Sequence, residues 1–276
     1  MLKASQLVRT GREKLAGVDN GDREAEYLFE SVYGCRYYEM PDGADCRPLS
    51  RTYLKLIERR LSGEPLQYII GRAPFLDFEL AVRPGVLIPR PDTEAAALAA
   101  IDAASPCVSG RAADLCSGSG CIGIALARAC PGWKVDCVEI SSEAFSCLEE
   151  NIRSLAPENA AAVRGDALRY LEDNVDTLDL IACNPPYLTR AEMSGLQEEV
   201  QREPALALYG GEDGLEYYRK LTGPAYCALR KGGTLVYETG DGESEPVFRI
   251  VTEAGFREAR TITDKYGLER AIEALK

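Results

Sequence analysis

The sequence predicts an α/β protein: a mostly parallel sheet covered by helices, preceded by a small helical domain and a β-hairpin linker. Three observations predict it. From about residue 93 onward, apolar strand-like runs alternate with helical periods, the pattern of a parallel sheet buried on both faces. Residues 1–70 carry apolar residues at helical spacing instead. Between them, "FLDFELAVRPGVLIPRP" gathers aromatic and β-branched residues around turn-forming prolines.

The elements come in order. In the N-terminal domain, 1–72, Leu54, Ile57 and Leu61 recur on one helical stripe. "REAEYLFESVYG" places Tyr27, Leu28 and Val32 on another, which ends at Gly34. The linker, 73–92, is expected to form its hairpin around "RPG" (83–85), with Pro89 and Pro91 stiffening the chain beyond it. The third domain, 93–276, opens with the helix "DTEAAALAAIDAA", then the strand "RAADL" (111–115) and the glycine-rich "CSGSGCIG". A second strand, "KVDCVEI", ends at Glu139 and Ile140, and Phe145, Leu148, Ile152 and Leu155 lie at helical spacing behind it. "AAAVRGD", "LDLIACN" and "GGTLVYE" read as further strands, with a helix over 215–230 before the last. "FREARTITD" and "LERAIEAL" have no helix between them and are expected to close the sheet as an antiparallel edge pair.

Composition removes several functions. The 276 residues are 46% hydrophobic and 28% charged, ordinary values for a globular protein. A net charge of −12 opposes direct nucleic-acid binding, which needs basic side chains to neutralise phosphates. There is no histidine, so Ser-His-Asp triads, Cys-His nucleophiles and His-ligated metals are excluded, and no metal is expected. The ten cysteines include no C-x-x-C pair; Cys116 and Cys121 flank glycines and read as packing. "MLKASQLVRTGREK" carries Lys3 and Arg9 and no apolar segment, and no run is long enough to span a bilayer. A cytoplasmic monomer with reduced thiols is expected.

"DLCSGSG" follows a strand and opens a helix, so Asp114, Cys116, Ser117, Gly118, Ser119 and Gly120 lie where open α/β sheets bind ligands. Gly118 and Gly120 would let a ligand meet the backbone without a Cβ in the way. The loop is no P-loop, and Cys116 stands at the first glycine of G-x-G-x-x-G. Glu139, ending the next strand, falls near the roughly 20-residue offset of a ribose-binding acid. Asp166, before Ala167 in "RGDAL", could serve an adenine amino group or simply form the turn. Together these residues point to a nucleoside-bearing cofactor, a nicotinamide or a methyl donor.

Asn184-Pro185-Pro186-Tyr187, at the end of the fourth strand, separates those two. The motif resembles the active site of amino-group methyltransferases that use S-adenosyl-L-methionine, and the resemblance implies their Rossmann-like class I fold with a seven-stranded sheet. The chemistry suits these residues. The acceptor is a planar amide or aryl amine with a delocalised lone pair. Asn184's side-chain carbonyl and the Pro185 backbone carbonyl can accept its two N–H bonds, orienting the lone pair and stabilising the charge that develops. Pro185 and Pro186 rigidify the loop, and Tyr187 can pack on a planar acceptor. No general base is needed before transfer.

More of the chain narrows the substrate. "GEPLQYIIGRAPFLDFELAVRPGVLIPRPDTE" (63–94), "REPALALYGGEDGLEYY" (202–218), "YETG" (237–240) and "DKYGLER" (264–270) are similar to segments of the release-factor glutamine methyltransferase family. That family methylates the glutamine in the Gly-Gly-Gln loop of class-1 peptide-chain release factors. The resemblance implies that the N-terminal helical domain helps hold the release factor. It also implies that Arg90 and Asp92 contact the Gly-Gly-Gln loop or the cofactor, with ion pairs anchoring the linker as the alternative, and that Glu203 and Pro204 line the acceptor pocket, with a surface loop as the alternative. Cys116 in place of glycine and Glu139 in place of aspartate depart from the commoner pattern. The alternatives are methylation of a ribosomal-protein glutamine or of the adenine exocyclic amine in nucleic acid.

Overall fold

The computed structural model describes residues 1–155 and 158–276, which divide into two compact units. The first comprises Met1–Arg72 with Gln197–Arg202, the second Ala73–Leu196 with Glu203–Lys276. Each has its own apolar core.

In the first unit, helices α1 (Ala4–Lys14), α2 (Gly21–Tyr33), α3 (Arg47–Leu61) and α4 (Leu66–Ile70) enclose Leu7, Val8, Leu28, Phe29, Tyr53 and Ile57. The buried stripes are rotated from those expected of the sequence. Tyr27 and Leu61 are about half exposed, whereas Phe29, Tyr53 and Arg60 are inside. Arg60 holds a core position because its guanidinium is paired, with Glu24 at 2.5 Å and Glu199 at 2.8 Å. A buried charge is tolerated only with such partners. The Glu199 contact is also why 197–202, assigned from the sequence to the third domain, packs with the first unit.

The second unit opens with a two-stranded hairpin, β1 (Arg72–Phe75) and β2 (Phe78–Ala81). Its turn falls at Leu76 and Asp77, with Leu76 at φ 49°, not at "RPG". Arg83–Val86 makes a separate turn, in which Val86 N–H donates to Arg83 O. A turn through leucine carries no glycine signal, which is why the sequence misplaced it.

Then come α5 (Thr93–Ala104), β3 (Gly110–Leu115), α6 (Cys121–Ala129), β4 (Trp133–Glu139), α7 (Ser142–Leu155), β5 (Ala160–Arg164), α8 (Ala167–Asp173) and β6 (Leu178–Cys183). After α9 (Arg190–Ser194) the chain forms α10 (Glu216–Ala228), β7 (Leu229–Glu238), α11 (Ser244–Glu253), β8 (Arg257–Thr263) and β9 (Glu269–Leu275). The seven-stranded order is β5-β4-β3-β6-β7-β9-β8. β3 to β7 pair in parallel, whereas β9 runs antiparallel to both neighbours. The expected edge pair is present, but only β9 is reversed against the sheet. α11, for which the sequence pattern gave no separate signal, supplies the crossover into β8.

Alternation along the strands divides the core. Ala112, Val135, Leu180 and Ala182 face one layer with α5, α6 and α7. Ala113, Leu115, Ile181 and Tyr237 face the other, with α8, α10 and α11. Chain order leaves β3 for β4 and β5 on one side and returns to β6 and β7 on the other. The carboxyl ends of β3 and β6 thus flank the switch point where such sheets bind ligands. Among the described residues, no helix is long and apolar enough to cross a membrane.

Candidate active site

At that switch point lies a cavity of about 340 Å³, within the usual range for small-ligand sites. Asp114, Cys116, Ser117, Gly118, Ser119, Glu139, Asp166, Ala167, Arg90, Asn184 and Pro186 line it. Residues from several separate stretches of sequence are therefore brought to one place.

The β3–α6 turn is shaped by its backbone. Cys116, Gly118 and Gly120 have φ of 57°, 56° and 88°, a left-handed region that disfavours a Cβ. Ser117 Oγ donates to Asp114 O at 2.7 Å, and Asp114 Oδ2 accepts the Gly123 N–H at 2.9 Å. Burial pushes the Asp114 carboxyl up to about 7, against the bond from Gly123. The two glycines have different work. A Cβ on Gly118 would meet nothing within 4 Å, so that space opens into the cavity. A Cβ on Gly120 would stand 2.5 Å from Leu148 Cδ1, so its bareness serves the docking of α7 on the turn and not, as the sequence suggested, a ligand.

Glu139, only 7% exposed, closes this turn. Its Oε2 accepts the Gly118 N–H at 2.8 Å and its Oε1 the Ser141 N–H at 2.7 Å. Each oxygen has a further lone pair directed to other donors. The carboxylate of Asp166 caps α8, accepting the Arg169 N–H at 3.1 Å, so its turn-forming role is realised while it still borders the cavity.

Across the cavity, Asn184 leaves β6. It lines the cavity, and its Nδ2 donates to Thr93 Oγ1 at 3.4 Å, so Oδ1 is the acceptor the amide has left to offer. Tyr187 does not line the cavity. Its ring lies against Gly240, where a Cβ would come within 2.9 Å of Cδ2, and it braces the loop from behind. Pro185 is buried. Glu203 is buried too, and its Oε2 accepts the Ile88 N–H at 2.9 Å while Oε1 pairs with Arg90. Asp92 pairs with Arg270 at 3.4 Å. Of "IPRPDTE" and "REPALAL", then, Pro89, Arg90, Thr93, Pro204, Leu206 and Ala207 border the cavity, while Glu203 holds the linker in place.

Sequence reasoning missed Thr93, Leu206, Ala207, Tyr217 and Leu221, which also line the cavity. Thr93 sits inside a motif that drew attention for other residues. Leu206, Ala207 and Tyr217 do too, within 202–218, and Leu221 lies in a helix whose composition carries no signal.

A doubly wound sheet with a glycine turn, a strand-end acid and Asn-Pro-Pro-Tyr at adjacent carboxyl ends defines a methyltransferase domain. The family model described as "Methyltransferase small domain" matches residues 88–208, and "PrmC N-terminal domain" matches residues 6–71. The chain is 36% identical to the release factor glutamine methyltransferase of Streptomyces coelicolor, over 92% of this chain and 90% of the relative. It is 37% identical to that of Moorella thermoacetica, over 81% and 79%. The chain belongs to the release factor glutamine methyltransferase family. Among solved structures, the hMettl16 catalytic domain is similar in fold, with a TM-score of 0.55 at 16% identity over 83% of this chain and 81% of that one.

Proposed function

We propose that this protein transfers a methyl group from S-adenosyl-L-methionine to the side-chain amide nitrogen of the glutamine in the Gly-Gly-Gln loop of class-1 release factors, in the cytoplasm. One observation carries the reading: Asn184 lines the same cavity as Gly118 and Glu139, with its Nδ2 already engaged by Thr93.

The residues fit the cofactor. Glu139 would accept the ribose hydroxyls, and the open space over Gly118 would admit the chain of the methionine moiety. Ile140, Ala167 and Leu168 supply apolar contacts at the same end. Bound there, the cofactor supplies an electrophilic methyl group. Asn184 Oδ1 accepts one N–H of the substrate amide and the Pro185 carbonyl the other, which aims the nitrogen lone pair at the methyl donor. As the nitrogen becomes positive these bonds strengthen, so they favour the transition state over the ground state. Pro186, Leu206, Ala207 and Leu221 border the cavity with apolar surface. Once the nitrogen has become cationic its proton is acidic enough to leave to water.

The test offers the purified protein a labelled methyl donor together with a release factor, a ribosomal protein and DNA. Label on the single loop glutamine, located by mass spectrometry, is the expected outcome. Label entering only DNA or only the ribosomal protein would replace this reading with the corresponding alternative.

A further inference from the structure

The Asn184 amide can turn either its oxygen or its nitrogen toward the cavity, and only the oxygen can accept an N–H. What decides between them is the partner of its nitrogen. Thr93, the first residue of α5 and 1% exposed, accepts from Asn184 Nδ2. The Thr93 hydroxyl also faces the carboxyl of Glu238, the last residue of β7. Strand register brings the three together. Cys183 and Tyr237 are partners across β6 and β7, so Asn184 and Glu238 leave adjacent strands at the same level.

Glu238 is otherwise costly to keep. It is 2% exposed, and its Oε2 has no hydrogen-bond partner among the described residues. Burial pushes the carboxyl up to about 8, and the Thr93 hydroxyl is the chief influence acting the other way. A buried carboxyl with an unpartnered oxygen does nothing for stability that an apolar residue would not do better.

We propose that Glu238 and Thr93 are positioning residues for Asn184. The carboxyl accepts the Thr93 O–H, so the hydroxyl oxygen is left to accept from Asn184 Nδ2, and Asn184 Oδ1 is turned to the reacting nitrogen. The carboxyl has an accepting oxygen whether or not it is protonated, so the arrangement holds across neutral pH. This inference rests on the proposed transfer to a substrate amide.

Thr93→Val keeps the shape of the side chain and removes the hydroxyl. Its kcat for methyl transfer to the release factor is expected to fall at least about tenfold. The KM for release factor and the calorimetric Kd for S-adenosyl-L-methionine should stay within about twofold of the parent, because only an orienting bond is lost. Thr93→Ser restores the hydroxyl and should return kcat to within about threefold of the parent. Glu238→Gln, which can still accept the Thr93 O–H but can equally donate to it, should fall between the two. A Thr93→Val enzyme with parental kcat, or a Thr93→Ser enzyme as slow as Thr93→Val, overturns the proposal. Solvent exchange of the Asn184 Nδ2 protons, read by NMR, tests the same bond with no substrate present. It should quicken in Thr93→Val and not in Thr93→Ser, and equal rates in Thr93→Val and the parent would also overturn the proposal. Should the parent transfer no methyl to the release factor while these protons still respond to Thr93→Val, the substrate assignment fails and the positioning pair stands.

Discussion

The ends of β3 and β6 are neighbours in the sheet, yet they are built in opposite ways. At the β3 end nearly everything is local. Three positive φ values at Cys116, Gly118 and Gly120 curl the chain, Ser117 ties back to Asp114, and Asp114 reaches forward only to Gly123. What completes it comes from the next strand and the helix after it: Val138 O accepts the Ser117 N–H, Glu139 accepts the Gly118 N–H, and Asn151 Nδ2 donates to Ser119 O. The β6 end is the reverse. Its prolines stiffen four residues, but what surrounds them comes from afar: Thr93 behind Asn184, Gly240 behind Tyr187, and Gly210, where a Cβ would stand 2.5 Å from Tyr187 Cα. A site that offers main-chain N–H groups is shaped by backbone conformation, which short sequence encodes. A site that offers one side-chain oxygen needs neighbours to turn that side chain, and these can come from any element.

Breaking each end in turn should separate chemistry from binding. The largest effect is expected of Asn184→Ala: transfer falls by roughly 10²–10³-fold, while cofactor affinity stays at the parental value. Labelled-methyl assays beside calorimetry measure both, and near-normal turnover would remove Asn184 from its assigned role. Glu139→Ala should do the opposite, weakening S-adenosyl-L-methionine binding about ten- to a hundredfold through lost charge-assisted bonds. Unchanged calorimetric affinity would take Glu139 out of the site.

A finer cut contrasts the two glycines. Gly120→Ala combines a positive φ with a Cβ 2.5 Å from Leu148 Cδ1, and should cost about 2–4 kcal/mol of stability in denaturant unfolding. Gly118→Ala meets open space, so its stability loss should be about 1 kcal/mol from φ alone, with cofactor affinity the property that suffers. Equal losses of stability would erase the distinction drawn between them.

The smallest effect concerns Asp114, whose carboxyl is held at about 7 by burial. An acid raised above its unfolded value near 3.9 binds a proton in the native state that the unfolded chain has released. Its contribution is therefore fully present below about pH 4 and is lost as pH rises through 7. Asp114→Asn has no such loss, so in the cofactor-free protein its Tm relative to the parent should climb by several degrees between pH 5 and pH 8. A gap independent of pH would mean that Asp114 titrates as an ordinary carboxyl.

These differences track what is legible in the sequence. Alternation of apolar strands and helices marks the sheet, because a strand buried on both faces must be apolar throughout. The glycine turn, Glu139 and Asn-Pro-Pro-Tyr announce themselves through residue types that few other backbones require. The hairpin turn does not, since Leu76 takes a positive φ that leucine normally avoids. The buried stripe of α3 is misjudged from spacing because Arg60 looks like a surface residue until Glu24 and Glu199 are placed around it. Glu203 reads as part of the acceptor pocket, but its carboxylate is directed at Ile88 and Arg90.

The sequence by itself determined the parts of the proposed site: a glycine turn, an acid at the next strand end, and an amide held in a proline frame. Those depend on local backbone preferences and on residue chemistry, which are properties of short segments. Tertiary structure alone decided which glycine borders the cavity, which acids are spent on anchoring, and that Thr93 and Glu238 come close to Asn184. Those are relations between residues far apart in the chain, and no local preference encodes them. They arise only when sheet register and helix packing bring strand ends and a helix start to one point.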